Sequence, residues 1–224
     1  MVDRIWFPAL NVVAHYHADF ANAVARPKKV DEIMTVAIAM AGMQEMHKKP
    51  YWIQGVPDTE QSPDVRTMCC DNPVGYASPL CQKQDVEVVT YTPYSKGQTL
   101  AEFVAATKLA PEAGYDALTT ILVNVQAPTA LGSETEWMSV LGKTRKKNPV
   151  MILGLINKDG PIYRLAVVHP PEIAIDYNPY DLLKKQGYTT VKEWALGTKN
   201  KEWYDPNKKH CPFEKFGIEC KLLK

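Results

Sequence analysis

Long apolar runs are missing from this chain. No stretch reaches the roughly 18 consecutive apolar residues that a bilayer-crossing helix needs, so no membrane partner is expected. The first residues, MVDRIWFPALNVVAHYHADF, put His and Asp where the apolar part of a secretory leader would stand, and a cytoplasmic protein is expected. An excess of one charge is missing too. Lys and Arg number 26 against 25 Asp and Glu, a net charge of +1, so no global field draws in nucleic acid or an anionic membrane. Any such partner has to meet a local patch. No C-x-x-C pair occurs, and the five cysteines are an odd number with Cys69 and Cys70 adjacent. A secreted disulfide framework is not laid out that way, which favours reduced thiols. Neither G-x-G-x-x-G nor G-x-x-x-x-G-K-[ST] is found, which argues against a doubly wound nucleotide-binding fold. Internal repeats and low-complexity blocks are absent as well.

What is present is ordinary globular composition. Hydrophobic residues make up 46% and charged residues 23% of 224 residues, enough to bury one core. The expectation is a single α/β domain over residues 1–198, followed by a tail over 199–224. In the tail, seven lysines after Gly197 stand among Trp203, Tyr204, Phe213 and Phe216.

The pattern between these limits alternates. Residues 31–48, DEIMTVAIAMAGMQEMHK, carry acids at the front and bases at the back, as the helix dipole prefers. Their interior is apolar nearly all round, which predicts a helix buried on more than one side. A turn-rich stretch over 54–63 leads into VRTMCC, the loop DNPVGYASP and the alternating run DVEVVTYTP, read as two strands that pair across a long loop. Thr99 and Glu102 open a capped helix that ends near Pro111 and Gly114. ALTTILVNVQ, residues 117–126, is dense in β-branched residues and predicts a buried strand. Residues 133–147 predict a second capped helix. PVMILGLI and IYRLAVVHP, separated by NKDG, predict an antiparallel hairpin. Short helices are expected near Tyr180–Lys185 and Thr190–Leu196. The order implies a mixed central sheet flanked by helices.

Chemistry concentrates on acids. Asp64 follows Pro63 at the start of one predicted strand, and Asp85 and Glu87 lie in the next. Side chains alternate along a strand, so Asp85 and Glu87 share one face while Val86 and Val88 take the other. If the two strands pair, Asp64 approaches them, and three converging carboxylates repel unless a cation neutralises them. Mg²⁺ suits such a site, since it takes hard oxygen ligands and keeps waters.

The run of a helix, a Pro-Asp, a strand with spaced acids, then a helix and a strand resembles the PD-(D/E)xK superfamily of restriction-type and repair nucleases, over residues 31–170. That resemblance implies a restriction-endonuclease-like core and a Mg²⁺- or Mn²⁺-dependent endonuclease that hydrolyses nucleic acid, DNA ahead of RNA, with a homodimer as the assembly common among such enzymes. It implies Asp64, Asp85 and Glu87 as metal ligands. In one register Asp85 is the acid of the triplet and Glu87 fills the lysine position. In the other, Glu87 is the acid, Val89 stands where the lysine belongs, and Lys108 on the following helix is its displaced substitute. Glu32 or Glu45 on the early helix is an additional candidate ligand. Bound metal would acidify and orient a water for attack on the phosphodiester.

Plainer readings stand beside this one. Asp64 after Pro63 is also ordinary turn chemistry, and Asp85 and Glu87 also suit the solvated face of an edge strand. The absent motif lysine equally suits a catalytically inactive binding module of the same fold, and the acids on their own suit an unrelated α/β interaction protein. His15 and His17 have the spacing of one strand face, and Cys69, Cys70 and Cys81, or His210, Cys211 and Cys220, are conceivable zinc sets without an anchoring pair. The run Lys143–Lys147 and the tail are candidate phosphate contacts.

Overall fold

The computed structural model describes residues 6–20, 27–56, 63–71, 80–92, 99–110, 113–126, 133–143, 148–157, 161–170 and 174–185. Within them stand eight strands and five helices, with both parallel and antiparallel pairing, so the chain is a mixed α/β protein. Contacts divide it into two compact units, Met1–Lys83 with Asn178–Lys224, and Gln84–Tyr177. The chain passes from the first to the second inside one strand, β4 (Leu80–Tyr91).

In the first unit, β1 (Phe7–Pro8), β2 (Tyr51–Gly55) and β3 (Val65–Asp71) pair antiparallel, with Phe7 opposite Ile53 and Ile53 opposite Thr67. Helices α1 (Ala9–Phe20), α2 (Lys28–His47) and α5 (Pro179–Lys185) pack on one another. As expected, α2 is buried on more than one side: apart from Asp31, every residue from Lys29 to Gly42 is buried. It ends where Lys48 turns into the left-handed region at φ 56° and donates its backbone N–H to Gln44, just before Pro50 stops further helix.

Helix α1 and strand β2 have no counterpart in the expected order. Leu10 to Ala14 are buried in succession, which erases the periodicity that marks an amphipathic helix. Strand β2 is five residues long and buries Trp52, Ile53 and Gln54 in a row, so it shows no alternation either. Because residues 15–17 lie in α1, the i, i+2 spacing of His15 and His17 no longer means a shared strand face.

The thiol expectation is corrected here. Cys70 at the end of β3 and Cys81 at the start of β4 come to a Cα separation of 4.0 Å and form a disulfide, leaving Cys69 as a free thiol. Two members of one conceivable zinc set are spent in that bond. No helix among the described residues is long and apolar enough to cross a membrane.

In the second unit, β4, β5 (Thr120–Val125) and β6 (Val150–Asn157) run parallel, whereas β6, β7 (Ile162–His169) and β8 (Ile175–Tyr177) are antiparallel neighbours. The expected hairpin is β6–β7, with Leu153 opposite Leu165. Helices α3 (Leu100–Thr107) and α4 (Glu134–Gly142) pack together over one face of these strands. Beneath them Tyr91, Ile121, Val123, Val150 and Ile152 join Val104, Leu109 and Trp137 in one apolar cluster. The predicted helix near 190–196, the residues of the basic run after Lys143, the tail, and His210, Cys211 and Cys220 lie outside the described residues.

Helix α3 begins as its sequence predicts. The Glu102 backbone N–H donates to the Thr99 hydroxyl at 3.3 Å, and the Thr99 N–H donates to the Glu102 carboxylate at 3.0 Å, a reciprocal cap. Thr99→Ala removes one half of this exchange and is expected to cost about 1 kcal/mol of stability. Urea unfolding followed by circular dichroism checks it, and Thr99→Ser should recover most of the loss.

Candidate functional site

In the second unit the decisive residue is Glu87. Along β4 it shares a face with Val89 and Tyr91, and those two join the apolar cluster under α3. Glu87 is therefore buried, only 4% exposed, and a solvated edge-strand face does not describe it. A carboxylate in such surroundings is costly unless a positive partner and hydrogen bonds meet it.

Lys108 meets it. Its ammonium donates to the Glu87 carboxylate at 3.2 Å. Helix α3 brings Lys108 within reach, since Tyr91 and Phe103 pack edge to face with ring centroids 5.2 Å apart. From Tyr91 back to Glu87 the strand spans roughly 13 Å. From Phe103 forward to Lys108 the helix advances only about 7.5 Å, and the four-carbon lysine stem covers the rest. The same ammonium donates to the Tyr115 hydroxyl at 2.9 Å and sits 5.1 Å from the centre of that ring, within cation–π range. Burial acts to lower the Lys108 pKa, but the Tyr115 hydrogen bond and the Glu87 charge outweigh it and hold the amine above the usual lysine value of 10.5.

Asp85 stands two residues before Glu87 on the same strand face and is partly buried. Val89, at the position where the second register would place a lysine, packs against the apolar cluster.

No family model, curated protein or solved structure matches the chain.

In the first unit, Asp64 follows the buried Pro63 and is anchored from two sides. Its backbone carbonyl accepts from the Val56 N–H at 3.4 Å and from the Lys29 ammonium at 3.3 Å. The Lys29 ammonium also stands 3.6 Å from the Asp64 carboxylate and 3.0 Å from Glu32. Lys29 and Glu32 are both buried, and Lys28 reaches the second Glu32 oxygen at 2.9 Å. Tyr16 of α1 donates to Asp31 at 3.2 Å and ties α1 to the front of α2. Asp64 is thus more than a turn residue: it belongs to an ionic cluster at the start of α2.

This separates the two candidate glutamates of α2. Glu32 shares Lys29 with Asp64, while Glu45 answers Lys48 at 3.1 Å and Lys185 at 3.2 Å. Burial works to raise the Glu45 carboxyl, but hydrogen bonds from those two lysines outweigh it and hold it below the usual range.

The metal question turns on donor chemistry. Asp85 and Glu87 offer hard carboxylate oxygens on one strand face, and Mg²⁺ is commonly held by one or two carboxylates, with waters and substrate phosphates completing its shell. The pair fits that mode. Among the described residues no group of three His, Cys, Asp or Glu side chains stands ready to hold an ion.

Sequence reasoning names Lys108, Glu32 and Asp64, but it misses Lys29 and Tyr115. The i, i+3 spacing of Lys29 and Glu32 on a helix is a legible signal. Nothing local marks Tyr115, which reaches Lys108 only because the chain turns back after α3.

The direction of the Lys108 shift fixes a pH dependence. A lysine whose folded pKa lies above 10.5 contributes stability that is fully present below that value and is lost as pH rises through the folded pKa. Lys108→Met should therefore cost about 1.5–3 kcal/mol, the worth of a charged hydrogen bond. The cost should be constant from neutral pH up to the ordinary lysine range and shrink above it. Denaturant midpoints of both proteins across that range supply the test.

Proposed function

We propose that the chain is a divalent-metal-dependent phosphodiesterase acting on nucleic acid, DNA ahead of RNA, on a restriction-endonuclease-like core. The observation that carries this reading is the Lys108–Glu87 pair at 3.2 Å. In the register with Glu87 as the acid, the motif lysine is absent from the strand, and α3 supplies one to the same carboxylate. The succession α2, β2, β3, β4, α3, β5 supports it further, as does the parallel pairing of β4 with β5 after the α3 crossover.

In this reading Asp85 and Glu87 hold the metal. When bound, Mg²⁺ or Mn²⁺ would supply a water of lowered pKa and charge for the departing oxygen. Lys108, held charged, orients that water by donating a hydrogen bond, and burial of Glu87 keeps competing solvent from its carboxylate. The apolar backing of Val89 and Tyr91 fixes the strand, so the acids do not swing away.

A second reading rests on one specific observation: lysines already meet the candidate acids, Lys108 at Glu87 and Lys29 at Glu32 and Asp64. A nuclease-fold binding module without cleavage would look the same.

Incubation of plasmid and single-stranded DNA with Mg²⁺ or Mn²⁺ separates the two. Cleavage by the wild type is expected to fall about a hundredfold or more in Asp85→Asn, Glu87→Gln and Lys108→Met, the usual scale for loss of a positioned proton-transfer group or its metal partner. Cleavage indifferent to all three substitutions would remove the proposal. Retention of DNA without cleavage would favour the binding module.

A further inference from the structure

Lys108 is an awkward place to mount a reactive amine. It caps the C-terminal end of α3, where its N–H closes the last turn on Val104 at 3.0 Å, and its stem is flexible. A lysine so placed samples many rotamers, and holding it in one costs conformational entropy. Helix α3 therefore does not determine where the ammonium points.

The segment after α3 does. Gly114 takes a positive φ of 64°, a conformation that side chains with a Cβ rarely adopt, and the chain turns back there. Tyr115 follows, with its ring packed on the apolar cluster. Immediately beyond, the Asp116 carboxylate accepts from the Leu118 N–H at 3.0 Å, and the Asp116 carbonyl accepts from the Thr119 N–H at 3.0 Å. The turn is clamped from β6's side by Asn148, which is fully buried. Its amide donates to the carbonyls of Asp116 at 2.6 Å and Thr119 at 2.9 Å. Tyr115 is thus held by a rigid turn, a glycine and a packed ring.

We propose that Tyr115 is a positioning residue, whose hydroxyl at 2.9 Å and ring at 5.1 Å aim the Lys108 ammonium at Glu87. The proposal rests on the reading of Lys108 as the displaced catalytic lysine. Its content is that the orientation of that lysine is set by the turn over 114–119 and not by the helix that bears it. Precise placement matters to rate more than to binding, because an interaction that counts only at the reacting geometry raises kcat and leaves substrate affinity alone.

Tyr115→Phe keeps the ring and its packing while deleting the hydroxyl, and Tyr115→Leu deletes both. With plasmid DNA and Mg²⁺, Tyr115→Phe is expected to lower kcat about tenfold at unchanged KM, and Tyr115→Leu to lower it further. A readout independent of cleavage is the ¹H–¹⁵N signal of the Lys108 ammonium, which is resolved only while hydrogen bonds slow its exchange. It should be visible in the wild type and broadened away in Tyr115→Phe. Cleavage that depends on Lys108 but keeps the wild-type kcat in Tyr115→Phe, with the ammonium signal intact, overturns the positioning role alone. Wild-type protein that cleaves nothing with Mg²⁺ or Mn²⁺ overturns the nuclease reading, and with it the catalytic meaning of Tyr115.

Discussion

A carboxylate set into an apolar strand face forces everything around it to respond, and Glu87 is that carboxylate. Its burial beside Val89 and Tyr91 demands a positive partner. The partner is available only because α3 lies along β4 with Phe103 against Tyr91 and Lys108 toward Glu87. The reciprocal cap at Thr99 fixes where α3 starts, and the turn clamped by Asn148 fixes where Tyr115 stands. A buried ion pair of this kind returns little net stability compared with apolar packing, because desolvation takes back most of the Coulomb gain.

The first unit repeats the theme with other residues. Lys29, itself buried, reaches Glu32 and both the backbone and side chain of Asp64. In each unit an acid that the sequence marks as a candidate is met by a lysine from a helix. Such pairing orders the carboxylates. Any divalent ion would have to compete with an ammonium already in place.

Much of the candidate site is legible from residue types and spacing. Pro63-Asp64 and Asp85-Val86-Glu87 announce themselves as acids at strand positions, and Lys108 enters only through the resemblance, in the register where Val89 stands at the lysine position. What spacing does not convey is burial. Asp85 and Glu87 look alike in an alternating run, yet Asp85 is only partly buried while Glu87 is buried and met by Lys108. Helix α1 and strand β2 also escape pattern reading, for the same reason. Where every residue is buried, as at Leu10–Ala14 and Trp52–Gln54, the contrast between wet and dry faces that makes a helix or strand recognisable is gone.

By itself the sequence determined the local grammar: the cap at Thr99, the hairpin around NKDG, the helix over most of Lys28–His47 and the β-branched strand at Thr120–Val125. Each is set by interactions among neighbours in the chain, which any reader of spacing can see. Tertiary structure alone decided that Cys70 joins Cys81, that Glu32 and not Glu45 shares a lysine with Asp64, and that Tyr115 reaches Lys108. Those outcomes depend on which distant segments are brought within a few ångströms. A bond between side chains carries no trace in the chain when packing elsewhere places its partners.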